Sequence, residues 1–216
     1  MLNSLNRSSL YVFLIIGAGL LGIFIHFYFG GLKAVITVNG FHNDFLDMFF
    51  KYVTFLGEIY GMVLCVFFFL MIKEIKWAII AIFSIILSSA IASILKHLVF
   101  SNALRPKHFI SNVDFIHQVV GVEIHLFNSF PSGHTLTMVC ICTILALYFG
   151  VSKHKKIAHF ILFFITLCVA LSRVYLFQHF FIDVSVSFFL GLIISFATYL
   201  GLLSFPYFKS INNETV

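Results

Sequence analysis

Charged residues are scarce in this sequence. Asp, Glu, Lys and Arg make up 10% of the 216 residues, while 61% are hydrophobic. A water-soluble globular chain carries about 25% charged and about 45–50% apolar residues, so water is not the main solvent of this one. Proline occurs three times and glycine 13 times, which excludes collagen-like and Pro/Gly-rich disordered chains. Disordered and nucleic-acid-binding classes need charge that is absent here. Cysteine is also rare: Cys65, Cys140, Cys142 and Cys168 lie inside apolar runs and match no zinc spacing, so they read as small buried hydrophobes.

Long apolar runs are what the sequence does have. A membrane-crossing helix needs about 20 largely apolar residues, and with borrowed flanks six stretches qualify: 10–30, 55–72, 77–100, 131–150, 157–175 and 181–205. The first is longer than the 7–15 apolar residues of a signal peptide and no A-x-A site follows it, so it reads as a retained span. The expectation is an all-α, polytopic membrane protein: one domain over residues 1–216, with six transmembrane helices. Residues 41–56 differ from the spans. Phe45, Phe49, Tyr52, Val53 and Leu56 recur at helical spacing and the polar residues fall elsewhere, the pattern of a short amphipathic helix lying along the outer interface.

Six spans put both termini on one side. With the N-terminus inside, Arg7, Lys73, Lys76, Lys153, Lys155, Lys156 and Lys209 are inner charges, and Lys33, Lys51, Lys96, Arg105, Lys107 and Arg173 are outer ones. Setting aside Lys96, Arg105 and Arg173 for a chemical role leaves seven against three, so the positive-inside rule puts both termini in the cytoplasm.

Ionisable residues at the edge of the hydrocarbon are costly and mark function by default. Three groups meet that description at the outer face: Lys96 with Arg105-Pro106, Pro131-Ser132-Gly133-His134, and Ser172-Arg173 with His179 and Asp183. Three cations against one carboxylate call for a polyanion, and arginine pairs with phosphate oxygens in a bidentate fashion. Pro131-Ser132-Gly133 suits the start of a helix: proline in its first turn, Ser132 as the cap and Gly133 giving an oxygen room to approach backbone N–H groups. His179 and Asp183, four apart, share one helix face, so the carboxylate can orient the imidazole as a nucleophile. His134 on the cationic wall is then free to protonate the leaving oxygen. The cations neutralise the developing charge, so no metal or other cofactor is expected.

These residues resemble the signature of the type 2 phosphatidic acid phosphatase superfamily. Pro131-Ser132-Gly133-His134 matches its second motif, and Ser172-Arg173, five residues, His179, three residues, Asp183 matches its third. The first motif, usually Lys, six residues, Arg-Pro, here has eight residues between Lys96 and Arg105. The resemblance implies that His179 is the nucleophile, Asp183 its partner and His134 the proton donor. It implies further that Lys96, Arg105, Ser132, Gly133 and Arg173 cradle the phosphate. The expected function is hydrolysis, through a phosphohistidine, of a phosphate monoester or pyrophosphate on a membrane lipid, at the outer face of the cytoplasmic membrane. Candidate substrates are undecaprenyl pyrophosphate, phosphatidylglycerol phosphate, phosphatidic acid and lipid A phosphates; no nucleic-acid partner is expected. The 107–129 loop, with His108, Asp114, His117, Glu123 and His125, reads as solvated or headgroup-contacting and as the place where the lipid is chosen. A non-enzymatic lipid-phosphate carrier or scramblase is the alternative, and it would have no need of a paired His179 and Asp183.

Overall fold

The structure is a computed structural model that describes residues 2–110 and 116–212; Asp114 lies outside these. Among the described residues are eight α-helices and no strand. They are α1 (Leu2–Phe29), α2 (Gly31–Gly40), α3 (Asp44–Val53), α4 (Ile59–Met71), α5 (Ile75–Ile94), α6 (Gly133–Phe149), α7 (Lys155–Tyr175) and α8 (Phe181–Leu203).

The six apolar runs fall on α1 and α4 to α8. Four helical segments, Asn6–Phe29, Ile75–Val99, Lys155–Tyr175 and Phe181–Leu203, are each long and apolar enough to cross a membrane. The other two are shorter than expected. Helix α6 has 17 residues and α4 has 13. At 1.5 Å per residue they rise about 25 Å and about 20 Å, less than the roughly 30 Å of hydrocarbon. Helix α4 is short because the chain bends by 59° between Asp44–Gly57 and Ile59–Met71.

Local signals explain several boundaries. Asn43 accepts a hydrogen bond from the Leu46 N–H at 2.9 Å and so starts α3, with Asp44 and Asp47 in the first turn and Lys51 in the last. The amphipathic helix expected over 41–56 is therefore α3 followed by a 3-10 turn, Thr54–Gly57. Helix α2 has no counterpart in the sequence reading. Ten residues are marginal as an isolated helix, and α2 is held from outside: Asn39 Nδ2 donates to the Tyr175 and His117 carbonyls, each at 2.9 Å.

Helix α6 is buried on all sides and packs against α1, α5, α7 and α8, as an all-round apolar sequence requires. The four cysteines are free and buried. Phe13, Leu20, Phe24 and Phe27 on α1, Phe67 on α4 and Phe83 on α5 face outward. Soluble monomers rarely expose such apolar surface, whereas a bilayer covers it; the chain is a multi-pass membrane protein. Its alternating helices bring the end of α5, the start of α6, the end of α7 and the start of α8 to one end of the bundle.

Candidate active site

Lys96 sits in a π-helical turn, Leu95–Val99, that continues α5. Such a turn takes up extra chain, and the segment after it folds back on itself. Phe100 N–H bonds the Leu95 carbonyl at 2.7 Å and Ala103 N–H the Phe100 carbonyl at 2.9 Å. Residues 103–105 are then drawn to 126–129 by Arg105 N–H to Leu126 C=O, 2.9 Å, and Ser129 N–H to Ala103 C=O, 3.0 Å. The eight-residue spacer thus returns Arg105 to the neighbourhood of Lys96. The Lys96 Nζ lies 3.7 Å from where a Cβ on Gly133 would stand, over the start of α6. Among the described residues Lys96 Nζ makes no hydrogen bond. The Arg105 guanidinium is more occupied: Nε donates to the Phe127 carbonyl at 2.8 Å, and Nη1 to the Gln178 side-chain oxygen at 2.7 Å and carbonyl at 3.1 Å.

At the start of α6 the structure corrects two expectations. Pro131 precedes the helix instead of sitting in its first turn, and the Ser132 side chain does not cap it. The Ser132 hydroxyl pairs with Thr135 Oγ1 at 2.9 Å, while its N–H is taken by Ser187 Oγ at 2.9 Å. The first turn of α6 is left without a side-chain cap, and uncapped N–H groups at a helix start attract an anion.

Helix α7 closes in a Schellman motif: Gln178 N–H reaches the Arg173 carbonyl and Phe177 N–H the Val174 carbonyl, each at 3.0 Å, with Phe177 at φ +59°. His179 N–H also reaches the Arg173 carbonyl, at 3.1 Å. One turn of backbone therefore fixes the Arg173-to-His179 spacing. His179 Nδ1 lies 3.3 Å from Asp183 Oδ2, but the two do not share a helix face as expected: His179 precedes the α8 cap residue Phe180, and only Asp183 sits on the helix, in its first turn. The same oxygen accepts from Ser129 Oγ at 2.5 Å and from the Phe180 N–H at 3.0 Å, so Asp183 also caps α8.

All eight residues singled out in the sequence converge here. Lys96 is within electrostatic reach of Arg105, Arg173 and Asp183, and His134 of His179, Arg173, Lys96 and Arg105. His179 lies outside the spanning helices. Burial first, then Arg105, Arg173 and Lys96, hold its proton affinity well below that of an ordinary histidine, which leaves the ring neutral with a lone pair.

Four contributors are absent from the sequence reading. Glu58 Oε1 lies 2.8 Å from His134 Nε2, and Thr54 Oγ1 accepts from Arg173 Nη1 at 2.8 Å; Ser129 and Gln178 support Asp183 and Arg105. Arg173 Nε is buried with no partner among the described residues. His117, expected to be solvated or headgroup-contacting, is partly exposed; it lies 2.6 Å from Asp47 Oδ2 and stacks on His42 with ring centroids 3.8 Å apart. A polar cleft of about 240 Å³, lined by Lys51, Glu58, Glu123, His125, His134 and Arg173 among others, leads in from the surface. His179 and Asp183 lie deeper, with side chains 1% and 5% exposed against 24% for His134 and 38% for Glu58.

Fold and site together define an all-helical membrane protein with a buried histidine–aspartate pair beneath a cluster of cations. The chain belongs to the PAP2 superfamily, whose family model matches residues 77–204. Over 74 residues it is 45% identical to phosphatidylglycerophosphatase B of Bacillus subtilis, a stretch covering 32% of this chain and 36% of that relative. The matched stretch thus spans about a third of that relative's length. Two crystal structures share the fold. LpxE of Aquifex aeolicus superposes with a TM-score of 0.65 at 24% identity, over 78% of this chain and 93% of that one. A transmembrane PAP2-type phosphatidylglycerolphosphate phosphatase from Bacillus subtilis gives 0.63 at 20% identity, over 90% and 98%.

Proposed function

We propose that this protein is a lipid phosphate phosphatase that hydrolyses a phosphate monoester or pyrophosphate on a membrane lipid through a phosphohistidine, without a metal ion. The observation that carries the reading is the buried His179–Asp183 pair held beneath Lys96, Arg105 and Arg173. With Nδ1 turned to Asp183, His179 Nε2 is the nitrogen that attacks phosphorus. The N–P bond forms as the bond to the lipid oxygen breaks, and His134 delivers a proton to that oxygen. Water then attacks the phosphohistidine, giving a proton to His134 and releasing phosphate. Lys96, Arg173 and the open N–H groups at Gly133 stabilise the charge on the equatorial oxygens, while Arg105 adds charge and holds the 126–129 segment in place.

The names of the relatives make phosphatidylglycerol phosphate the first substrate to test. The position of the site at one end of α5 to α8 supports a headgroup reaction at the membrane interface, with six spans, α3 lying along that interface, and the site on the outer face of the cytoplasmic membrane. The test is phosphate release from detergent micelles of phosphatidylglycerol phosphate, phosphatidic acid and a prenyl pyrophosphate, with EDTA present. Wild type turns over at least one of them and His179→Ala none. Equal release by both proteins, or none by wild type, overturns the reading.

A further inference from the structure

We propose that the bend between α3 and α4 supplies a fourth working segment of the site, in which Glu58 is the positioning residue for the proton donor His134. The inference rests on the phosphatase reading given above. The segment lies outside residues 77–204, where the family resemblance falls, and outside the three motifs.

Three contacts converge from five consecutive residues. Thr54 Oγ1 takes a hydrogen bond from Arg173 at 2.8 Å, and Glu58 Oε1 meets His134 Nε2 at 2.8 Å. Between them Gly57 lies flat against α6, where a Cβ would stand 2.8 Å from both the Cβ and the carbonyl oxygen of His134. The 3-10 turn Thr54–Gly57 and the 59° bend that follows it stand at the point from which both side chains reach the site.

The chemistry follows from the geometry. A general acid must present its proton along a defined direction. In the acid form His134 is the imidazolium: the Glu58 carboxylate accepts its Nε2–H, which fixes the ring and leaves Nδ1–H, unbonded among the described residues, for the lipid oxygen. Nδ1–H goes to the leaving alkoxide as the P–O bond breaks, and the attacking water returns a proton to Nδ1 in the second step. Glu58 itself neither gains nor loses a proton in the cycle. Its side chain lines the cleft, as does His134, whereas the nucleophile lies deeper; this separation puts the leaving group on the cleft side.

The test uses leaving groups of different need. Dioleoyl phosphatidylglycerol phosphate expels an alkoxide that requires protonation, while 4-nitrophenyl phosphate expels a phenolate that does not. Glu58→Gln and Glu58→Ala are expected to lower kcat on the lipid by about 100-fold, the low end of what general acid catalysis contributes, with KM little changed, and to lower turnover of the aryl ester by less than about 3-fold. Glu58→Asp recovers part of the lipid rate. His179→Ala abolishes both reactions. Equal losses on the two substrates in the Glu58 variants reveal a merely structural role and overturn the proposal, as do unchanged rates on both. Activity retained by His179→Ala defeats the underlying mechanism instead, so the two failures are told apart.

Discussion

Asp183 Oδ2 receives the Ser129 hydroxyl, the Phe180 N–H and the His179 ring, and it is this shared acceptor that joins loop, helix cap and histidine. Both residues were legible in the sequence because a four-residue separation is a local property, although His179 stands just before α8 and not on it. Ser129 was not, since it is 54 positions from Asp183 and a lone loop serine has no distinguishing pattern. The Ser132 cap was misjudged for a related reason: a serine before a helix favours capping by its local propensity, but Thr135 draws its hydroxyl away. Burial and three cations depress the proton affinity of His179, so between its folded value and the ordinary value near 6.5 the unfolded chain binds more protons. Stability from this group is complete above about pH 6.5 and falls as the pH drops through that range. The His179 ring likewise stays neutral below about pH 6.5 in the folded protein. A profile of kcat/KM, corrected for the second ionisation of the substrate, is expected to show no enzyme ionisation near 6.5 on its acid limb. An ionisation near 6.5 that persists on the acid limb after that correction contradicts this.

Among the elements, α5 to α8 were readable as apolar runs, and the motifs on them as conspicuous polar residues at their ends. The α3–α4 junction was legible only as a change of direction, from a helix along the interface to a span; the contacts made there were not, because they join residues 76 and 119 positions apart. The one sequence signal available was a glycine beside an acid, Gly57-Glu58, at the edge of an apolar run. Close packing at Gly57 gives the element its own prediction. Gly57→Ala forces a methyl group against backbone, 2.8 Å from the His134 carbonyl oxygen, and overpacking of this kind costs about 1–3 kcal/mol. It is expected to lower the thermal midpoint in detergent and to reduce turnover by displacing Thr54 and Glu58 together. Gly17→Ala is the control: a Cβ there meets nothing within 4 Å and alanine favours a helix, so midpoint and rate hold. Equal behaviour of the two variants refutes the packing argument.

Which way the whole molecule faces is set by where its cations lie. Lys96, Arg105 and Arg173 are gathered into the site, which is the physical ground for leaving them out of the charge count that orients the chain; Lys73, Lys76, Lys153, Lys155 and Lys156 flank the opposite end. Juxtamembrane lysines hold their end of a bundle in the cytoplasm, so the cleft should open outward. The protein is suited to a direct test, because its four cysteines are buried, at most 8% exposed, and give little background with a membrane-impermeant maleimide. Val120, 87% exposed near Lys51 at the site end, and Val151, 45% exposed in the α6–α7 turn, are positions at opposite ends for one added, accessible cysteine. In spheroplasts Val120→Cys is expected to label at once and Val151→Cys only after lysis. The reverse pattern places the site in the cytoplasm; it would leave the chemistry at His179 untouched but would assign the enzyme to lipids of the inner leaflet, because a headgroup reaches this cleft only from the side on which it opens.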